Sequence, residues 1–170
     1  MSKIEIPASS VWFLCIVYSI ESLLQATQAI AVTDPVEVAA VRSLSEKWSI
    51  GSSGTWNLTD PCYGVASSTA EAGNPGIKCV CTYNNGTICH VTQIHISGLD
   101  KTGQLSEEMA NLTYISQLNL GQNNFNGRIP AFLGKLTNMQ YLALGINNFS
   151  GPVPKELGNL QNLIGLVADN

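Results

Sequence analysis

Two stretches decide how this chain is read: Leu118-Asn119-Leu120-Gly121-Gln122-Asn123-Asn124-Phe125-Asn126-Gly127 and Leu142-Ala143-Leu144-Gly145-Ile146-Asn147-Asn148-Phe149-Ser150-Gly151. They match slot for slot at a spacing of 24 residues. The register extends both ways. Leu112, Leu136 and Leu160 align, as do Ile115, Met139 and Leu163, and Ile129-Pro130 aligns with Val153-Pro154. A fixed period of this length is the signature of a solenoid, in which each unit buries its apolar face only by stacking on its neighbours. Such a fold offers an extended surface rather than an enclosed pocket.

The slots have physical roles. Leu118-Asn119-Leu120 alternates apolar and polar, the period of a short strand, and Leu112 and Ile115 complete the inward layer. Asn123 and Asn147 stand where the chain leaves the strand, where a side-chain amide can satisfy backbone groups of adjacent coils. Phe125 and Phe149 are expected to fill the far side of the core, and Gly127 and Gly151 to permit tight bends. A weaker unit precedes them, with Ile88, Val91, Ile94 and Ile96 in the core slots. It departs from the pattern at Leu99, where Asn is due, and at Ser106, where Pro is due. Residues 88–170 therefore read as an atypical first repeat, two good ones and one cut short.

Ahead of the repeats, residues 1–31 read as a secretory signal peptide: a short apolar run, Val11 to Ile20, is followed by small residues and is too short to span a bilayer. Residues 34–48 read as an amphipathic helix with Asp34 as N-cap, Pro35 at its first position and Glu37 completing a capping box. Val41, Leu44 and Trp48 share a face, and Gly51 is the expected stop. The helix would lid the open end of the first coil. Four cysteines follow, Cys62, Cys79, Cys81 and Cys89. In a secreted segment an even number argues for disulfides, and four allow three pairings. A zinc site at Cys79-Val80-Cys81 is the sharper alternative and the less favoured one.

The repeat Leu118 to Gly127, with Ser150-Gly151-Pro152-Val153-Pro154-Lys155-Glu156-Leu157-Gly158, resembles the plant-specific leucine-rich repeat. The resemblance implies an α/β solenoid of 24-residue repeats with an N-terminal helical, disulfide-bonded cap over residues 32–89. Trp56, then Asp60-Pro61-Cys62, then Gly76-Ile77-Lys78-Cys79 are similar to the caps of plant leucine-rich-repeat receptors. In those caps the two cysteines are joined, which implies Cys62–Cys79 and leaves Cys81–Cys89. The longer insertion with Lys78-Cys79-Val80-Cys81 looks like the amino terminus of receptor-like serine/threonine kinases that carry a malectin-like domain. That resemblance implies the ectodomain portion of such a receptor at the cell surface, without its kinase.

Composition sets limits on function. The net charge is −4 with only 12% charged residues, where about 25% is usual. There is no basic patch, so nucleic acid is not an expected partner. No Gly-rich phosphate loop, V-A-I-K, H-R-D or D-F-G motif occurs, so the chain itself is not expected to be a kinase or to hold a cofactor. No catalytic or metal site is expected: His90 and His95 have no carboxylate at ligand spacing, and His95 should point outward from a strand. Four glycosylation sequons begin at Asn57, Asn85, Asn111 and Asn148.

The outward ladders expected on the concave face are Gln93, Gln117, Tyr141, Gly165 and His95, Asn119, Ala143, Val167. Gln93, His95, Gln117, Asn119 and Tyr141 are the candidate contacts. They are neutral, and Tyr141 is their one aromatic anchor, so the favoured reading of this stretch is scaffold, with ligand contacts further along a longer solenoid. The expected function is binding of a protein, peptide or cell-wall carbohydrate, with a co-receptor, at the outer face of the plasma membrane. The alternative expectation is a small secreted repeat protein, a soluble receptor partner or an inhibitor of wall-degrading enzymes.

Overall fold

The computed structural model describes residues 30–51, 56–63 and 73–168. The signal-peptide reading falls almost wholly outside them. Residues 31–170 form one compact unit.

The chain enters through a short strand, β1 (Val32–Thr33), and turns at Asp34 into helix α1 (Pro35–Lys47). Asp34 caps the helix by accepting the Val36 N–H at 2.8 Å. The capping box expected with Glu37 does not form. Glu37 is only 2% exposed and its carboxylate faces the sheet instead of the helix start. The helix also ends earlier than Gly51: Trp48 is the C-cap and Ser49 takes the left-handed conformation (φ 49°). Ala40, Val41, Leu44 and Trp48 make the buried stripe of the cap.

A hairpin follows, β2 (Gly76–Tyr83) antiparallel to β3 (Ile88–His95). β3 begins the solenoid. β1 pairs parallel with its first residues and β5 (Gln117–Asn119) with its last. β7 (Tyr141–Ala143) and β9 (Gly165–Val167) continue the parallel ladder at the repeat spacing. On the return path of each coil lies a second, smaller parallel sheet: β4 (Thr102–Gly103), β6 (Asn124–Arg128) and β8 (Asn148–Ser150). Each coil then closes through a 3-10 turn, at Glu107–Asn111, Ala131–Lys135 and Lys155–Asn159. Among the described residues the α-helix is therefore confined to the cap.

The core runs continuously through the coils. Leu112, Ile115, Leu118 and Leu120 are at most 1% exposed, and so are Leu136, Met139, Leu142 and Leu144. Phe125 is fully buried and Phe149 half-buried. Trp48 joins cap to solenoid, meeting the Phe125 ring edge-on at 5.1 Å and donating its indole N–H to the Gln104 carbonyl.

The repeat asparagines carry the polar half of the fold. Asn123 Oδ1 accepts the N–H groups of Leu99 and Lys101, and its Nδ2 faces the carbonyls of Ile96, Leu120 and Gly121. Asn147 repeats the motif, accepting from Phe125 and donating toward Leu120, Leu144 and Gly145. Each amide ties its own coil to the one before. A second tie is Asn138 Nδ2 to the Thr113 carbonyl, repeated by Asn162 to Thr137.

Packing between 3-10 turns is close enough to demand glycine. A Cβ on Gly134 would overlap the Glu156 backbone of the next coil, whereas one on Gly158, its repeat equivalent, would meet nothing within 4 Å. Gly134→Ala is expected to cost about 1–3 kcal/mol and Gly158→Ala close to nothing, a difference that thermal melts of the two variants would show.

Candidate functional site

The open face of the parallel sheet is the extended surface that this fold presents. β3, β5, β7 and β9 stand side by side in strict register, so residues one repeat apart stack into rows. Gln93, Gln117, Tyr141 and Gly165 form one row, and His95, Asn119, Ala143 and Val167 the next. Between them, Ile94, Leu118 and Leu142 point inward and are about 1% exposed. The alternation that buries one set presents the other.

The face is nearly uncharged. Gln93, His95, Gln117 and Asn119 are half-buried among their neighbours, and Tyr141 is 46% exposed. Asn119 is partly committed, since its Oδ1 accepts the Gly121 N–H at 3.1 Å. Beside these rows lies an open depression of about 290 Å³, floored by Gly121, Gly145 and Ala143 and edged by Ser97, Gln122, Ile146 and Val167. Ile146 is a β-branched residue with φ 55°, 60% exposed at this rim. That conformation is unusual for isoleucine. Its repeat neighbours Gln122 (φ 56°) and Gly98 (φ 62°) share it, so the coil geometry imposes it at this slot.

A second polar cluster lies under the cap. The Glu37 carboxylate accepts the Val91 N–H at 2.7 Å and contacts His90 Nδ1 at 3.0 Å. The His90 ring stacks on Tyr114 at 3.6 Å and meets Tyr83 edge-on at 4.7 Å. Burial pushes the Glu37 carboxyl above its ordinary value, against the opposing pull of the Val91 amide and of His90. The sequence offers His90 no carboxylate at ligand spacing, and the fold supplies one from 53 residues away. The partner lies on the cap helix, far outside any ligand-spacing motif. What the cluster can do is structural: it satisfies the Val91 N–H of the first coil and pins α1 to β3. No group of three or more His, Cys, Asp or Glu side chains that could hold a metal is present among the described residues.

The cap is fastened at further points. Cys62 is bonded to Cys79, and Cys81 to Cys89. The second bond closes the β2–β3 hairpin, leaving neither Cys79 nor Cys81 as a free thiolate for zinc. Thr33 Oγ1 bonds Asp60 Oδ1 and accepts the Cys62 N–H. Lys47 Nζ meets Glu108 Oε1 at 2.7 Å, linking α1 to the first 3-10 turn. That ammonium is the chief reason the Glu108 carboxyl is drawn down to about 2. Both side chains are more than a third exposed (44% and 38%), so water screens the pair and its worth stays below about 1 kcal/mol. The folded-state value is depressed, so this contribution is present above the usual carboxylate range and is lost as pH falls toward 2. Glu108→Gln is expected to cost less than about 1 kcal/mol at pH 7 and to converge with the parent in acid, as chemical denaturation across pH would show.

The four sequon asparagines do not share one environment. Asn85, Asn111 and Asn148 are exposed, and Asn57 is half-buried. None of them falls on β3, β5, β7 or β9.

The Leucine Rich Repeat family model matches residues 114–136. Two probable LRR receptor-like serine/threonine-protein kinases of Arabidopsis thaliana are similar to the chain, one 39% identical over 111 residues and the other 37% over 112. Each match takes in 62% of this chain and 11% of the relative, so the chain spans only a small part of the curated proteins it matches. Among solved structures, the PEPR1–AtPEP1 complex superposes with TM-score 0.50 at 29% identity, over 62% of this chain and 15% of that one. A plant ice-binding protein superposes with TM-score 0.53 at 18% identity, over 84% of this chain and 49% of that one. At that identity the likeness concerns the fold alone. The chain is thus a leucine-rich-repeat solenoid with a helical, disulfide-bonded cap, and its relatives are plant receptor-like kinases. No helix among the described residues is long and apolar enough to cross a membrane.

Proposed function

We propose that this chain is the cap and first coils of the extracellular, ligand-binding part of a plant cell-surface receptor-like kinase. The observation that carries the reading is the open sheet face: rows of neutral, hydrogen-bonding side chains in strict register, with Tyr141 as an aromatic anchor. Such a surface suits an extended partner, whose backbone amides Gln93, Gln117 and Asn119 could match one coil at a time. The partner is a protein, peptide or wall carbohydrate, with a co-receptor completing the complex. The two disulfides support passage through an oxidising secretory compartment. The relatives' kinase activity belongs to segments with no counterpart in the matched region, and this chain acts by binding alone.

The test has two parts. The transcript is read beyond the codon for Asn170: an in-frame membrane span and kinase motifs support the receptor reading, and an immediate stop codon defeats it in favour of a small secreted repeat protein. The chain, secreted with an affinity tag on plant cells, is also cross-linked at Tyr141 through a photoreactive tyrosine analogue. Adducts at Tyr141 and not at a control position on the 3-10 face support the open sheet as the contact surface, and equal labelling at both refutes it.

A further inference from the structure

We infer that Asn85, Asn111 and Asn148 carry N-linked glycans, and that Asn57, though it begins the same type of motif, does not. The inference rests on the extracellular reading above, since the modification needs entry to the secretory pathway. The co-reactant is a lipid diphosphate-linked oligosaccharide. Asn Nδ2 attacks the anomeric carbon, the C1–N bond forms as the C1–O bond to the diphosphate breaks, the lipid diphosphate leaves, and the amide gives up one proton. No oxidation or reduction is involved.

The three accepting sites share an exposed asparagine. Asn85 sits at the tip of the β2–β3 hairpin in a left-handed turn (φ 57°), exposed. The Cys81–Cys89 bond closes that hairpin behind it. Asn111 is the last residue of the first 3-10 turn, exposed, with its motif partner Thr113 exposed as well. Between them Leu112 points inward, fully buried. Asn148 opens β8, exposed, and its partner Ser150 is exposed beside it. At each site a bulky, hydrated chain can leave the surface without displacing core.

Asn57 is different. Its Oδ1 accepts the Thr59 N–H at 2.8 Å and the Asp60 N–H at 3.3 Å, closing an Asx turn. That turn positions Asp60, which bonds both Thr33 and the Cys62 N–H. Trp56 on one side is buried, and Arg42 from α1 bonds the Leu58 carbonyl at 3.2 Å on the other. The transferring enzyme works on extended chain. The turn engages the Asn57 amide itself and holds it half-buried, a side-chain bond that Asn85, Asn111 and Asn148 do not make among the described residues.

The consequence is spatial. The three glycans leave from the hairpin tip, a 3-10 turn and the smaller sheet, and the rows headed by Gln93 and His95 stay bare. A coat on the flanks directs any macromolecular partner to the open sheet face.

Glycopeptide mass spectrometry of the whole chain, secreted from plant or insect cells and deglycosylated enzymatically in heavy-oxygen water, tests this. The expected result is heavy-oxygen aspartate at positions 85, 111 and 148 and unmodified asparagine at 57. Asn85→Gln, Asn111→Gln and Asn148→Gln should each remove one glycan's step in gel mobility. Asn57→Gln should leave mobility unchanged and lower the thermal midpoint. A glycan at Asn57, or secretion without glycan at any of the other three, overturns the inference while leaving the receptor reading intact. Retention in the cytosol with reduced cysteines overturns both.

Discussion

Asn123→Ala lowers the unfolding free energy by about 3–5 kcal/mol, because it orphans several buried backbone groups at once. One side chain serves five backbone groups, and three of them lose their partner outright: the N–H groups of Leu99 and Lys101 and the Ile96 carbonyl, whereas the Leu120 carbonyl still accepts Asn147 Nδ2 and the Gly121 carbonyl the Gly98 N–H. Asn123 is 7% exposed, so water replaces few of these bonds. Each unsatisfied buried group costs about 1–3 kcal/mol, and partial rehydration near Lys101 brings the sum down to the figure given. Asn123→Asp keeps the two acceptor bonds but loses both amide donors and sets a carboxylate against three carbonyl oxygens, so it should be at least as damaging at neutral pH. Asn124→Ala, one residue on and exposed, is the control and should lie within about 0.5 kcal/mol of the parent. Urea titration of the three variants decides. A small effect for Asn123→Ala would mean that the coils are held by apolar stacking alone.

Leu142→Ala is the second large effect, at about 2–5 kcal/mol. Leu142 is 1% exposed, paired in register between Leu118 and Leu166, and its loss leaves a cavity that the rigid sheet cannot close. Tyr141, its immediate neighbour, is 46% exposed on the other side of the strand. Tyr141→Ala should cost a small fraction as much while removing the aromatic anchor of the open face. Equal losses in chemical denaturation would mean that the strand faces the other way.

The two clean coils were legible because each slot recurs in phase, and recurrence turns weak preferences into a pattern. Leu118, Leu142 and the rows that flank them follow from strand alternation at a fixed spacing. The smaller sheet was not legible. Asn124-Phe125-Asn126-Gly127-Arg128 lacks an apolar alternation, and it is a strand only because the coils on either side offer backbone partners. The β2–β3 hairpin is hidden for a similar reason: β2 carries no regular apolar alternation and pairs with irregular register. Glu37 misled because its local setting is that of a capping box, while its actual partners, Val91 and His90, lie on a strand that sequence spacing cannot bring near. Tyr83 and Tyr114 reach His90 in the same way, from positions that sequence spacing does not bring together. Among the sequons, the motif alone could not separate Asn57 from the others, because the difference lies in what its side-chain oxygen accepts.

The reach of the asparagine ties has a mechanical consequence. Asn123 and Asn147 each grip their own coil and the one before it, and no further. Tension applied along the solenoid axis is therefore borne one junction at a time, as in a zip, and never shared across the stack. Pulled from the carboxyl end in an optical trap, coils should peel off singly, giving evenly spaced extension steps of one repeat each. The segments closed by Cys62–Cys79 and Cys81–Cys89 should stay unextended and be freed only by reductant. A solenoid anchored in this way works as a force gauge graduated in single repeats.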